Sequence, residues 1–319
     1  MNGVAADFTI FFNSDVHGSE KCWMKFVNAA RFYGVQALVM GGDITGKAIV
    51  PIVRHGQGRY EMEFQGRRSR LSEGELPEAE KRVRFNGFYP YVCDREEVAL
   101  LEQQPQHLDA VFKTLMSEQL TRWLAIAQER LEPQGVPCFV MPGNDDAFFV
   151  DDALNGNPYV VNPDLKVVPI GPYQMLSCSW TPPTPWNSPR ECPEEELLAK
   201  LRPLVAQLRP GVGTIFNLHS PPYRTGIDEA PELKPDFSVV TVGGQPKMIP
   251  VGSRAVRTLI EEVQPLVALH GHIHESRGVA RIGRTTCINP GSTYAEGVLD
   301  GCIVALRGDK VRNAQIVRG

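Results

Sequence analysis

Five times along the chain a short apolar run stops at a compact polar cluster, and that recurrence constrains the fold more than any other feature. Phe8–Asn13 leads into Ser14, Asp15, Val16 and His17, and Ala37–Met40 leads into Gly41, Gly42 and Asp43. Pro137–Met141 leads into Pro142, Gly143, Asn144, Asp145 and Asp146. Thr214–Leu218 ends at His219, and Leu266–Leu269 ends at His270, Gly271, His272, Ile273 and His274. Short runs rich in β-branched and aromatic residues read as strands. Helical patterns lie between them: Ser19-Glu20 opens a helix with Cys22, Phe26, Ala29 and Ala30 on one face, and Gly34 ends it. Strands alternating with helices predict an α/β fold. In open sheets of that class ligands gather at the carboxyl ends of the strands, where these clusters fall.

The remaining stretches fill in the frame. Glu96–Leu131 reads as helical, broken or kinked at Pro105, with Leu108, Val111, Phe112, Leu115, Trp123, Leu124 and Ala127 as a core-packing stripe. The proline-dense segment Thr181–Pro189 excludes a central strand or a helix interior. A helix is expected over Pro193–Leu208, with Pro193 and Glu194–Glu196 suiting its first turn. Gly301–Val317 reads as two strands around Arg307-Gly308-Asp309. Between Lys47 and about Arg95 lies an insertion with ten basic and seven acidic side chains, a net +3 against −4 for the whole chain. A solvated hairpin and loop is the plainer reading of such charge runs; the functional one is a cap leaning over the site. At about fifty residues the insertion is marginal for a core of its own, so residues 1–319 are expected to form one domain that contains it.

Composition narrows the class. Hydrophobic residues at 42% and charged residues at 22% are ordinary for a globular chain and argue against wholesale disorder. No apolar run is long enough to span a bilayer, and the first residues lack the basic and apolar regions of a secretory signal. Seven cysteines, an odd number with no CxxC pair, fit reduced thiols and a cytoplasmic location better than a disulfide framework or zinc ribbon. The slight acidity argues against a general nucleic-acid coat protein. Gly56-Gln57-Gly58 and Gly211-Val212-Gly213 lack the context of a dinucleotide site, and no P-loop is present.

The polar clusters carry the chemistry. Carboxylates, imidazoles and one amide oxygen make a mixed O/N set that suits first-row divalent ions such as Mn, Fe, Zn or Ni. His270, beside the Gly271-His272 pair, reads instead as a hydrogen-bonded core histidine. In order, D-x-H at Asp15–His17, G-D at Gly42-Asp43, G-N at Gly143-Asn144, His219, and G-H-x-H at Gly271–His274 resemble the calcineurin-like metallophosphoesterase superfamily. The segments around Thr184-Pro185-Trp186-Asn187-Ser188-Pro189-Arg190 and Asn289-Pro290-Gly291-Ser292 are similar to the Icc-related predicted phosphoesterases within it.

That resemblance implies a four-layer α/β/β/α sandwich of two mixed sheets and a centre of two divalent metal ions. Manganese comes first, with Fe, Zn, Ni or Mg as alternatives. Asp15, His17 and His274 would hold one ion, Asn144, His219 and His272 the other, and Asp43 would bridge them. The implied activity is hydrolysis of a small phosphorylated substrate, with a phosphodiester ahead of a monoester, through a metal-activated hydroxide. Two alternatives stand beside it: a nuclease, for which only the basic insertion speaks, and a binding scaffold of the same fold without turnover. Nucleic acid is therefore open but not favoured as a partner, no membrane is expected, and a homo-oligomer stays open. Two departures bear on these readings. Gly46 replaces the family's second Asp, and Lys47 stands where the Ser/Thr-phosphatase branch has Arg, which argues against that branch. Asp145 occupies the place of the family's catalytic His, so it must be held protonated, orient another donor, or leave activity reduced.

Overall fold

The computed structural model describes residues 7–319. The chain opens with β1 (Phe8–Asn13), α1 (Glu20–Tyr33) and β2 (Ala37–Met40). The insertion follows as β3 (Ile49–Arg54), β4 (Arg59–Phe64), β5 (Arg67–Ser72), α2 (Leu76–Phe85) and β6 (Tyr89–Cys93). Next come α3 (Arg95–Gln103), α4 (Pro105–Leu131), β7 (Cys138–Val140), α5 (Val150–Gly156), β8 (Val167–Ile170) and β9 (Tyr173–Cys178). After α6 (Glu194–Val205) and β10 (Thr214–Leu218) the chain makes an excursion of four very short strands. These are β11 (Glu229–Pro231), β12 (Thr241–Val242), β13 (Gln245–Pro246) and β14 (Met248–Pro250). The chain closes with α7 (Arg254–Val263), β15 (Val267–Leu269), β16 (Gly278–Ile282), β17 (Thr285–Asn289), β18 (Asp300–Arg307) and β19 (Lys310–Arg318).

Two mixed sheets dominate, ordered β19-β18-β1-β2-β7 and β16-β17-β15-β10-β9-β8. Alternation along each strand divides their side chains between two faces. In the first sheet Phe11, Leu38, Met40 and Val140 turn to a core shared with α1, α4 and α5, where Trp23 stacks on Trp123 at 5.0 Å. Ile10, Phe12, Ala37 and Val39 turn the other way and share a core with Met175, Ile215, Val267 and Leu269 of the second sheet. The second sheet's opposite residues, Leu176, Phe216, Leu218 and Ala268, pack on α6 and α7. Each large apolar side chain buried in this way contributes about 1.5–3 kcal/mol. Strands β1, β2 and β7 run parallel to one another in the first sheet, as β10 and β15 do in the second, so their carboxyl ends deliver the polar clusters.

The local signals explain the helix ends. Ser19 accepts from the Cys22 amide as N-cap of α1, and Gly34 closes it at φ 63°. Pro105 does break the expected long helix, splitting α3 from α4. The core stripe holds only for its second half: Leu120, Trp123, Leu124, Ala127 and Leu131 are buried, while Leu108, Val111, Phe112 and Leu115 are only half-buried. That first half lies against the insertion, where Phe112 meets Tyr89 edge-on at 5.6 Å.

The insertion is more than a hairpin and loop. It forms a sheet ordered β5-β4-β3-β6, and Val50, Ile52, Met62 and Phe64 on one face close on Ala79 and Val83 of α2. Alternation in β3 and β4 supplies one wall and the i, i+4 pair of α2 supplies the other, enough for a small satellite core. All seven cysteines are buried and unpaired. Among the described residues no helix is long and apolar enough to cross a membrane.

Candidate metal centre

The loops after β1, β2, β7, β10 and β15 bring all seven expected ligands together, five of them buried and His272 and His274 half-buried. His17 Nε2 lies 3.2 Å from His274 Nε2 and 3.6 Å from Asp43 Oδ2. Asp15 Oδ1 lies 3.5 Å from His274 Nε2 and 3.9 Å from His219 Nε2. Asp43 Oδ2 is 3.4 Å from His219 Nε2. Asn144 Oδ1 sits between His219 Nε2 at 3.1 Å and His272 Nδ1 at 2.8 Å. Asp15, His17 and His274 form one group whose ligating atoms could share an ion, and Asp15, Asp43 and His219 form another. Both Asp15 and Asp43 thus touch residues of the two expected sets. A third such group, His17, Asp43 and Asp145, places the Asp145 carboxylate within 4.8 Å of both partners' ligating atoms.

Backbone strain aims these side chains. Asp15, His17, Asp43 and His272 all have positive φ, at 58°, 39°, 52° and 68°. Such conformations cost a non-glycine residue about 1–3 kcal/mol each and persist where surrounding structure imposes them. The glycines permit close approach: a Cβ on Gly271 would lie 2.1 Å from Ser14 Oγ and 2.3 Å from Asp15 Oδ2. One on Gly143 would lie 2.1 Å from Asp43 Oδ1.

Residues outside the motifs hold the pocket together. Asp146, fully buried, accepts from the amides of Gly143, Ile44 and Thr45 at 2.8–3.0 Å and from the Thr45 hydroxyl at 2.5 Å. It thereby locks the Asp43 loop to the Asn144 loop. Arg190 is buried at the end of the proline-dense loop; its Nε donates to the Asp146 carbonyl at 3.0 Å, and its own amide donates to the Asn144 carbonyl at 3.1 Å. Ser292 Oγ donates to the Asp15 carbonyl at 2.6 Å, and the Tyr294 ring packs 4.7 Å from that of His17. A second acid directly behind Asn144-Asp145 was the available signal for Asp146. The anchoring role of Arg190 had none, because the carbonyl it binds lies 44 residues away in sequence.

Charge in the pocket is set by burial and by mutual attraction. Burial alone would lower His219, but the Asp43 and Asp15 carboxylates outweigh it and raise the imidazole to about 10. Burial raises Asp43 to about 6, helped by Asp145 and Asp15, in spite of His219. The pair's attraction therefore overcomes burial on the imidazole and not on the carboxylate, which has two like charges beside it. Burial, then the positive His219, pushes His272 down to about 3. Burial would raise Asp15, yet the hydrogen bond from His274 and the charges of His219, His274 and His17 hold it below the usual range. His219 Nδ1 faces the Gly41 carbonyl at 2.8 Å. A carbonyl can only accept, so Nδ1 carries a proton and Nε2 is the nitrogen turned to the pocket.

Asp145 is ionised. Burial would raise it, but an ion pair from Lys47 to Oδ2 and a 2.6 Å hydrogen bond from Ser188 to Oδ1 lower it. Its carboxylate thus faces two donors, the Lys47 ammonium and the Ser188 hydroxyl. His270 lies outside the cluster, with Nδ1 on the Leu218 carbonyl at 2.8 Å, as a core histidine.

No family model matches the chain. Over 153 residues it is 35% identical to the uncharacterized protein MJ1162 of Methanocaldococcus jannaschii, a match covering 47% of this chain and 62% of that protein. Among solved structures, TT1561 of Thermus thermophilus superposes with a TM-score of 0.52 at 16% identity over 99% of both chains, a likeness of fold. The E. coli phosphoesterase Yfce aligns over 96% of this chain and 98% of its own at 11% identity, with a TM-score of 0.34, too slight to build on. In the order and residue types of its pocket motifs, the chain resembles the calcineurin-like metallophosphoesterase superfamily.

Proposed function

We propose that the chain is a metal-dependent phosphoesterase, a hydrolase acting on ester bonds with a phosphodiester as its preferred substrate. The observation that carries this reading is the convergence of five strand-end clusters, distant in sequence, on one buried set of carboxylate, imidazole and amide ligands. The donor set fits divalent cations: imidazole nitrogens and carboxylate oxygens face one another with no apolar filling between them. Asp15, His17 and His274 would hold one ion, Asn144, His219 and His272 a second, with Asp43 between; manganese is the first choice of metal. When bound, such cations polarise phosphoryl oxygens and lower the pKa of water towards neutrality. The two sheets with helices on their outer faces support a four-layer sandwich in one domain, with the 47–95 segment as a cap; the seven unpaired cysteines support a cytoplasmic setting.

The chain's own residues do the rest. Asp43 and Asp15 offset the positive charge of His219, and the Gly41 carbonyl fixes its ring with Nε2 towards the other ligands. Lys47, more than half exposed and held by Asp145, offers a cation to the open side. With Asp145 ionised the pocket lacks the superfamily's imidazole donor, so leaving groups that need a proton depart slowly. That absence also favours a second reading, a scaffold that binds metal without turnover.

The test is metal analysis of the purified protein combined with a leaving-group series of mono- and diesters. Aryl phosphodiesters should be cleaved in manganese and alkyl monoesters poorly, while Asp145→His should raise turnover on poor leaving groups by roughly 10–100-fold. No hydrolysis of any ester by fully metallated protein, with none restored by Asp145→His, would leave the scaffold reading.

A further inference from the structure

Asp145 stands among the metal ligands without being one of the expected seven. One of its carboxylate oxygens lies within 4.8 Å of ligating atoms of His17 and Asp43, and those two residues approach each other at 3.6 Å. Neighbouring ligands on one ion, with bonds of about 2.1 Å, stand roughly 3–3.5 Å apart. His17 belongs to one ion's set alone, with Asp15 and His274, and Asp43 adjoins it. A carboxylate that reaches both His17 and Asp43 therefore serves that ion.

The two carboxylates are held in the same way. The Asp145 amide donates to Asp43 Oδ1 at 3.0 Å, and the Ser188 hydroxyl donates to Asp145 Oδ1 at 2.6 Å. In each, Oδ1 is occupied by a protein donor and Oδ2 is turned to nitrogen. Asp43 Oδ2 faces the imidazoles of His17 and His219, and Asp145 Oδ2 faces the Lys47 ammonium. Carboxylates that ligate a metal are themselves held by such hydrogen bonds. Lys47 thus marks the side of Asp145 on which a positive charge sits.

Exchanging that charge for another costs little. The Lys47 side chain is 56% exposed, a pair so open contributes about 0–1 kcal/mol, and its long stem lets the ammonium swing into water. The carboxylates have no such freedom. Asp15, Asp43 and Asp145 each bring an oxygen within 4.8 Å of a His17 nitrogen. Like charges gathered at that range are stabilised by a cation among them.

We infer that Asp145 is an eighth metal ligand, forming with Asp15, His17, Asp43 and His274 the shell of one divalent cation, and that Lys47 yields Oδ2 to that cation. This rests on the metal-centre reading of the pocket and deepens it. Three carboxylates and two imidazoles make a harder set than the other ion's, which suits manganese ahead of zinc. The arrangement also gives the carboxylate a place beside a phosphoester, because its charge is cancelled by the ion and the Lys47 ammonium is freed for an anion.

The experiment is manganese titration of the full-length protein, with free ion counted by its electron paramagnetic resonance signal. The wild type should bind two ions. Asp145→Asn, which keeps an oxygen for Ser188 and removes the charge, should weaken one of them by about 10–100-fold or more, since loss of a mere outer partner of a ligand costs that much. Lys47→Met should tighten the same ion. Cobalt reads direct ligation: all seven native cysteines are buried, so Asp145→Cys loaded with cobalt should gain a thiolate-to-metal charge-transfer band that the loaded wild type lacks. An unchanged manganese titration in Asp145→Asn would overturn the inference and leave the seven-ligand centre standing. A weakened ion with no cobalt band would make Asp145 a neighbouring charge and overturn it as well. Turnover is not read, so the phosphoesterase reading fails separately. An ion that depends on Asp145, with no ester hydrolysed, keeps the eighth ligand and sinks the enzyme.

Discussion

The metal pocket and the 47–95 insertion use charge and backbone in opposite ways. In the pocket Asp15, His17, Asp43 and His219 are buried and His272 and His274 half-buried, and four of the seven ligand positions hold positive φ. In the insertion the charges stand in solvent, and the two non-glycine residues with positive φ, Gln57 and Gln65, lie in hairpin turns. Buried charge demands partners and geometry, so each pocket residue is over-determined by its neighbours. Solvated charge demands almost nothing, and Arg67, Arg68 and Arg70 on edge strand β5 blunt a free sheet edge as any cation could. Substitutions should therefore be severe in the first region and mild in the second.

The strongest break is at Asp43, which lies between both ligand sets. Asp43→Ala should bring bound metal towards zero, while Asn144→Ala should lose mainly one ion; elemental analysis of the purified variants reads both. Full metal occupancy in Asp43→Ala would remove the contrast between the two regions.

Next in size is the pH dependence of metal uptake. His219, raised to about 10, is protonated at neutral pH in the metal-free protein, and metal can use its Nε2 only after that proton leaves. Metal affinity should therefore climb about tenfold per pH unit towards alkaline pH, with about one proton released per site near neutrality. Titration in two buffers of different ionisation heat measures the proton. The sign for folding is the reverse. The imidazole's contribution to the metal-free fold is fully present below its ordinary value of 6.5 and is lost as pH rises through about 10. A metal affinity flat with pH would contradict the charge assigned to His219.

Gly271→Ala comes third. Its Cβ would collide with Ser14 and Asp15, so overpacking should cost about 1–3 kcal/mol by denaturant unfolding and weaken metal binding besides. An unchanged midpoint would show that the strand-end loops can yield. The smallest effect is expected at the insertion: Arg68→Ala loses an exposed pair with Glu61 and should shift stability by less than about 1 kcal/mol, within the range of surface ion pairs. A larger loss would mean that the insertion's charges are structural after all.

The same contrast decided what could be read from sequence. β1, β2 and β10 match the expected ranges, because each apolar run ends at a polar cluster that marks its carboxyl end. The ligands were readable because their types and order are unusual together. By contrast, the excursion's β12 and β13 have two residues each, all exposed, with no hydrophobic period to detect. α7, with Ser253 as its N-cap, and the β8–β9 pair were not anticipated. The satellite core of the insertion depends on Met62 and Phe64 meeting Val83 across a turn of chain that charge runs obscure. Asp145's partner was equally hidden, since nothing local to Lys47 says which carboxylate it will meet.

Arg190 has a further consequence. Its guanidinium is satisfied by the Asp146 and Ala147 carbonyls and by Asp151, and the Thr181–Glu191 bridge closes the loop's base. The segment from 182 to 189 is thus a cassette clipped in at its ends, with the clip on the pocket side. Most of the anchoring is done by residues outside it, and within it Ser188 alone is seen to bond a pocket residue, Asp145. Loop sequence and metal holding are in this sense partly separable: residues 182–187 can vary while Ser188 and Arg190 keep the Asn144 loop where it is.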